Sequence, residues 1–215
     1  MRKSLLLAAT AAASAMLVLG PTASAFAATH DVLTTGKVGG PNVKVGAVLQ
    51  AGLKARTVAS FSSPGTTITA KCTRSTITSK VTANPARPGK AVLSLTAQTF
   101  GGCTITIGGV KVLSLTVKHP DRTTISDAKG NPVTVFGPSA TIKLMFGTAT
   151  FSCTYTAKQI SGHASNVGSL ISFSKQILSR SAGPANFCPA KGALSATYGP
   201  VVDMSVKGHP HVFVN

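Results

Sequence analysis

From residue 66 to residue 214 apolar residues alternate with Thr, Ser or Lys. A period of two marks strands that bury one face. The clearest runs are 66–71, 75–81, 91–96, 103–107 and 110–117, then 141–146, 148–156, 170–173, 194–198, 201–206 and 211–214. Their β-branched content suits a pleated, half-buried surface. Outside the first 28 residues no stretch holds a helical period. Residues 170–181 are where a short helix competes, and their first part is expected to be strand.

Turn chemistry falls between the runs. Asn84-Pro85-Ala86-Arg87-Pro88-Gly89 and Asp127-Ala128-Lys129-Gly130-Asn131-Pro132 are loops, and Gly108-Gly109 between two alternating runs is a hairpin signal. Short strands punctuated this often predict an all-β chain, an antiparallel immunoglobulin-like β-sandwich. Residues 28–215 are expected to form one domain. Residues 28–46 are Gly-rich and weakly patterned, and predict a flexible N-terminal arm. The stretches around Cys72 and Cys153 echo each other (Thr69-Ala70-Lys71-Cys72-Thr73 and Thr150-Phe151-Ser152-Cys153-Thr154). An internal duplication with its boundary near 120 is the alternative organisation.

The first residues read as an address. Arg2 and Lys3 precede an uncharged apolar stretch, and Pro21 leads to two Ala-x-Ala frames, Ala23-Ser24-Ala25 and Ala25-Phe26-Ala27. That is a cleavable secretory signal peptide over 1–27, too short in its apolar core to serve as a membrane anchor. The chain is expected to be secreted, with or without association with the cell wall. No later stretch is long and apolar enough for a transmembrane segment.

In an exported chain four cysteines most economically make two disulfides. Three connectivities are open to Cys72, Cys103, Cys153 and Cys188. Similar enclosed spans favour Cys72–Cys103 with Cys153–Cys188. A cysteine metal site would need closely spaced pairs, and there are none.

The chain carries 21 Lys and Arg against four acidic residues, all Asp, for a net charge of +17. Two of the cations leave with the signal peptide. Such a balance attracts polyanions without specificity, and outside a cell these are anionic wall polymers and lipid head groups. Lys111, Lys118 and Arg122 form the densest local basic stretch and are the candidate anion contacts. The alternative reading of the charge is solubility alone, because the cations are spread singly. Sequence-specific nucleic-acid recognition is not expected. Trp is absent, Tyr155 and Tyr198 are the only tyrosines, and the phenylalanines sit where a core would claim them.

Catalytic constellations are poorly supplied. Paired-carboxylate chemistry has only Asp31, Asp121, Asp127 and Asp203 to draw on, and Asp in a turn usually bonds its own backbone. No Gly-x-Ser-x-Gly elbow supports a serine nucleophile, and Gly162-His163-Ala164-Ser165 reads as loop. His209 and His211 would share one strand face, with Asp203 and His119 as further metal ligands. Pro210 between them favours an irregular segment and a structural role. The expectation is no enzyme, no cofactor and no metal.

Asn84-Pro85 with Gly89, then Phe100 and Cys103, the pair Cys188-Pro189, Leu194-Ser195-Ala196-Thr197-Tyr198, Gly199-Pro200-Val201 and the closing Val212-Phe213-Val214-Asn215 resemble uncharacterised secreted proteins of actinomycetes. The resemblance implies export and a β-rich, four-cysteine domain. That family has no assigned activity, so no catalytic residue carries over. Some of its members bear a twin-arginine leader, from which Arg2-Lys3 departs. Two functions follow as expectations. One is a secreted non-catalytic β-sandwich associating with anionic cell-envelope polymers. The other is a secreted inhibitor or ligand-capturing module presenting disulfide-pinned loops such as 84–89 or 183–188.

Overall fold

A computed structural model describes residues 30–118 and 122–215. The segment expected to be a signal peptide, with both cleavage frames, and His119, Pro120 and Asp121 lie outside the described residues. In chain order the strands are β1 (Leu33–Thr35), β2 (Val48–Gly52), β3 (Ala59–Ser62), β4 (Thr69–Ala83), β5 (Lys90–Ile105), β6 (Val110–Lys118), β7 (Thr123–Ser126) and β8 (Pro132–Phe136). They continue as β9 (Ser139–Phe146), β10 (Ala149–Thr156), β11 (Gln159–Ser165), β12 (Leu170–Ala182), β13 (Lys191–Tyr198), β14 (Val202–Asp203) and β15 (Val212–Val214). The all-β expectation holds, and 170–181 is strand throughout.

The ladders are antiparallel, and they close. Following neighbours from β11 through β8, β7, β5, β4, β3, β13 and β12 returns to β11, because β11 pairs both β8 and β12. The expected sandwich of two facing sheets is therefore corrected to a closed eight-stranded antiparallel barrel. Closure removes sheet edges that a sandwich would leave open. Bulges and glycine corners give the long strands the curvature it needs. One corner lies at Gly101-Gly102, opposite Arg74 and Thr73. Gly102 has φ +60, and a Cβ there would run into the Thr73 hydroxyl.

The long strands β4, β5 and β12 extend past this ring, and shorter strands are laid end to end along β4 and β12. On one edge of β12, β11 pairs residues 170–173 and β10 pairs residues 179–182. On one edge of β4, β2 pairs residues 76–80 and β3 pairs residues 69–72. Beyond β10 the sheet continues through β9 to β6. A seam remains there: β5 and β6 follow one another in the chain, yet no ladder joins them among the described residues.

Two cores fill the interior. One gathers Val32, Leu33, Leu49, Val81, Leu93, Ile125, Val133 and Tyr198 inside the ring. The other gathers Ile142, Leu144, Tyr155, Ile160 and Leu178 beneath β9 and β10, and Phe173 packs against both. At about 1.5–3 kcal/mol for each fully buried large aliphatic side chain, these clusters supply the bulk of the stabilisation.

Of the expected N-terminal arm, 28–46, the described residues 30–46 pack into the fold. Val32, Leu33 and Val43 are fully buried, β1 pairs β15, and the Asn84 side chain holds Leu33 and Val43. The glycines that weakened the pattern supply turns, Gly36, Gly39 and Gly46 all having positive φ. The halves on either side of residue 120 share one sheet, since β3 pairs β13 and β5 pairs β7.

Both expected disulfides form, Cys72–Cys103 and Cys153–Cys188, and no described cysteine is free. Their settings differ. The first joins directly opposed residues of β4 and β5, whereas the second ties β10 to the loop that enters β13.

Candidate ligand-binding cavity

The interior is not filled. A cavity of about 140 Å³ lies between the two cores, and a second chamber of about 40 Å³ adjoins it inside the ring. Ile77, Ser79, Leu93, Ile125 and Ile171 line both. The main wall is aliphatic and aromatic: Leu95 and Phe100 from β5, Leu115 and Val117 from β6, Ile142 from β9, Phe173 and Leu178 from β12. Residues of both seam strands, β5 and β6, thus reach the same space. Among the described residues none that lines it is charged.

A bulge brings polarity into this wall. Along β4, Ile77 and Ser79 point inward, and Leu93 and Leu95 do so along β5. The register then slips: Ser79 faces Leu95, but Thr78 faces Ala97, which leaves Thr96 as an extra residue. A bulge of this kind re-aims every side chain beyond it. Gln98 and Phe100 therefore turn inward, where simple alternation from Leu93 and Leu95 would have sent them out.

Gln98 does not stand alone. Its Nε2 donates to the Tyr198 hydroxyl at 3.0 Å, and the same hydroxyl shares a hydrogen bond of 3.1 Å with Ser75 Oγ. Burial pushes the Tyr198 phenol above its ordinary pKa, against the lowering effect of those two bonds. Tyr155 lines the opposite part of the wall, edge-on to Phe61 with ring centroids 4.7 Å apart. Burial raises its pKa as well, and the Arg180 charge opposes the shift. The Ser79 hydroxyl borders both chambers and has no protein partner among the described residues.

The residues singled out by sequence lie elsewhere. Lys111 and Lys118 are exposed on β6. Register places them on one outward face with Lys143 of β9, since Lys111 opposes Met145, Ser114 opposes Lys143 and Lys118 opposes Ser139. The Arg122 guanidinium lies over the Phe136 ring, 4.8 Å from the centroid. Asp127 braces a loop, paired with Arg87 at 3.4 Å and accepting from the Gly89 amide at 3.1 Å. Asp203 is buried and accepts from the Ser205 amide at 2.9 Å. His163 pairs with Ser172 within the β11–β12 ladder, so the segment read as a loop is strand. His209 sits in a turn with φ +45, and His211 makes an isolated bridge with Val202. Among the described residues no three His, Cys, Asp or Glu converge. In the 84–89 segment Asn84 is buried as an internal strut, and Pro85, Ala86, Arg87 and Pro88 are exposed.

Sequence reading missed Gln98, Ser79 and the Tyr198 network. A polar residue at an inward position is the signal that could have found Ser79. For Gln98 the Thr96 bulge hides it. Set beside protein-family models, curated proteins and solved structures, the chain has no significant match in any of the three comparisons.

Proposed function

We propose that this is an exported, non-catalytic binding protein whose barrel interior captures one small apolar molecule. The cavity itself carries the reading. Protein interiors are packed so closely that voids larger than a water are few. At about 24 cal/mol per Å³, an unfilled apolar space of about 140 Å³ costs roughly 3 kcal/mol. Small residues such as Ala140 and Ala196 line it, so larger side chains could have removed that cost. A dry cavity of about 150 Å³ walled by Leu, Ile and Phe takes up benzene, which sets the size of the occupant. Eight-stranded barrels are also just wide enough to hold one small ligand.

The test uses the chain's own chromophores. There is no Trp, and both tyrosines line the cavity, so occupancy alters tyrosine emission directly. Titration of the purified protein with small cyclic hydrocarbons should change that emission saturably and raise Tm. Linear, non-saturating responses to every such probe would rule the reading out.

A second reading rests on a different observation, the shared outward face of Lys111, Lys118 and Lys143 beside Ser114, Thr116 and Thr141. Three cations on one face make a diffuse docking surface for an anionic envelope polymer or lipid head groups. Retention on an anionic matrix should fall steeply with salt, and should weaken when the three lysines are neutralised together. Elution of the wild type at trace salt would leave the charge as a solubility feature.

A further inference from the structure

We propose that the cavity selects uncharged apolar molecules bearing a single hydroxyl or carbonyl group, and that Gln98 and Ser79 receive that group; this rests on the ligand-binding reading above.

The charge distribution comes first. The chain holds 21 Lys and Arg, yet no described Lys or Arg lines the cavity. Among the described residues the wall is neutral, in a strongly cationic protein. An anion entering it would lose its hydration and meet no counter-charge, and a cation would fare the same. The long-range field of the protein favours anions outside; the cavity refuses them inside.

The polar inventory comes second. Tyr198 is occupied, its hydroxyl held between Gln98 and Ser75. Gln98 spends one amide hydrogen on that contact. Its other amide hydrogen and its carbonyl oxygen have no protein partner among the described residues, which leaves one donor and one acceptor. Gln98 opposes Ile77, and Ser79 is two residues further along the same inward face of β4. Diagonal neighbours of this kind lie about 7–8 Å apart, a gap that the Gln98 side chain and one ligand oxygen can span. Polar groups that face an apolar cavity gain from a partner, and a hydroxyl or carbonyl supplies one to each of these half-buried residues.

Thr123, Ser139 and Tyr155 also belong to the wall; what sets Gln98 apart from them is its register. Gln98 faces the cavity because of the Thr96 bulge, and the phenol of Tyr198 holds it there. A site built only to be apolar has no use for either.

The experiment compares four six-carbon-ring probes of nearly equal size: methylcyclohexane, cyclohexanol, cyclohexanecarboxylate and cyclohexylammonium. Tyrosine emission and Tm are recorded for wild type, Gln98→Leu and Ser79→Ala. The expected result is binding of the two neutral probes and none of the two ions at neutral pH. In Gln98→Leu the ratio of cyclohexanol to methylcyclohexane affinity should fall about tenfold, the worth of one hydrogen bond. In Ser79→Ala it should fall in the same direction. Ratios reduce the effect of any general loosening of the fold, because the hydrocarbon reports it in the same variant. An unchanged ratio in both variants, or carboxylate binding as tight as the alcohol, overturns the proposal while leaving the cavity reading intact. Failure of all four probes overturns both.

Discussion

The side chain of Asn84 supplies both hydrogen bonds that a neighbouring strand would make to Leu33: Oδ1 accepts from the Leu33 amide at 2.8 Å, and Nδ2 donates to its carbonyl at 2.9 Å. The same Nδ2 reaches the Val43 carbonyl at 2.9 Å. One buried amide therefore fastens the first strand to the barrel. Replacing it by Ala strands the Leu33 amide and the Val43 carbonyl, each costing about 1–3 kcal/mol when buried without a partner, while the Leu33 carbonyl keeps the Val43 amide at 3.0 Å. Asn84→Ala should lower unfolding free energy by at least ~2 kcal/mol in urea titrations. Asn84→Asp should be as damaging, because a carboxylate cannot donate to the two carbonyls.

The cavity makes a prediction of opposite sign. Ala196 is buried on the wall, and Ala196→Leu places three more carbons in empty space. Filling a void of this kind commonly adds about 0.5–2 kcal/mol. Denaturant midpoints should rise, and saturable binding of small hydrocarbons should disappear from the same variant. Lower stability with binding retained would mean that the space next to Ala196 is not the one ligands enter.

The strands were legible because one face of each is buried, and the cysteine pairing because four cysteines enclosing two similar spans favour one connectivity. Closure was not legible. Alternation reports a buried face but not what lies across from it, so it reads the same for a strand in a sandwich and a strand in a ring. The β11–β12 ladder, which closes the barrel, leaves no local mark. Leu33 was hidden by Gly36, Gly39 and Gly40, since glycine-rich composition also belongs to mobile arms. Gln98 was hidden by one extra residue, Thr96, which inverts the face of everything after it.

The Gly102 corner gives a backbone prediction. Its φ of +60 and the neighbouring Thr73 hydroxyl leave no room for a Cβ, so Gly102→Ala combines left-handed strain with a clash. A cost of about 1–3 kcal/mol follows. Thr73→Ala removes the obstructing hydroxyl, and the double variant should recover part of the loss. Full additivity in a double-mutant cycle would argue that strain alone sets the cost.

Alkaline pH tests the environment of the two tyrosines together. Burial raises both pKa values above the ordinary 10.0, Tyr198 against its bonds to Ser75 and Gln98, and Tyr155 against the Arg180 charge. The unfolded chain loses its phenol protons near 10, so above that pH the folded state binds more protons than the unfolded one. Stability then falls as pH rises. The contribution is complete below pH ~10 and is lost as pH climbs through the folded values. Lysines titrate in the same range, so the informative quantity is the difference between wild type and Tyr198→Phe. The variant should be less stable at neutral pH by about 1–2 kcal/mol, since Ser75 and Gln98 lose a buried partner. Its decline above pH 10 should be shallower than that of the wild type. Phenolate absorbance should develop only above pH 10 for both residues while the fold persists. An alcohol seated against Gln98 should move the Tyr198 step further upward, because the occupant excludes water from the same wall. A step near 10 in the folded protein would place the phenol in solvent.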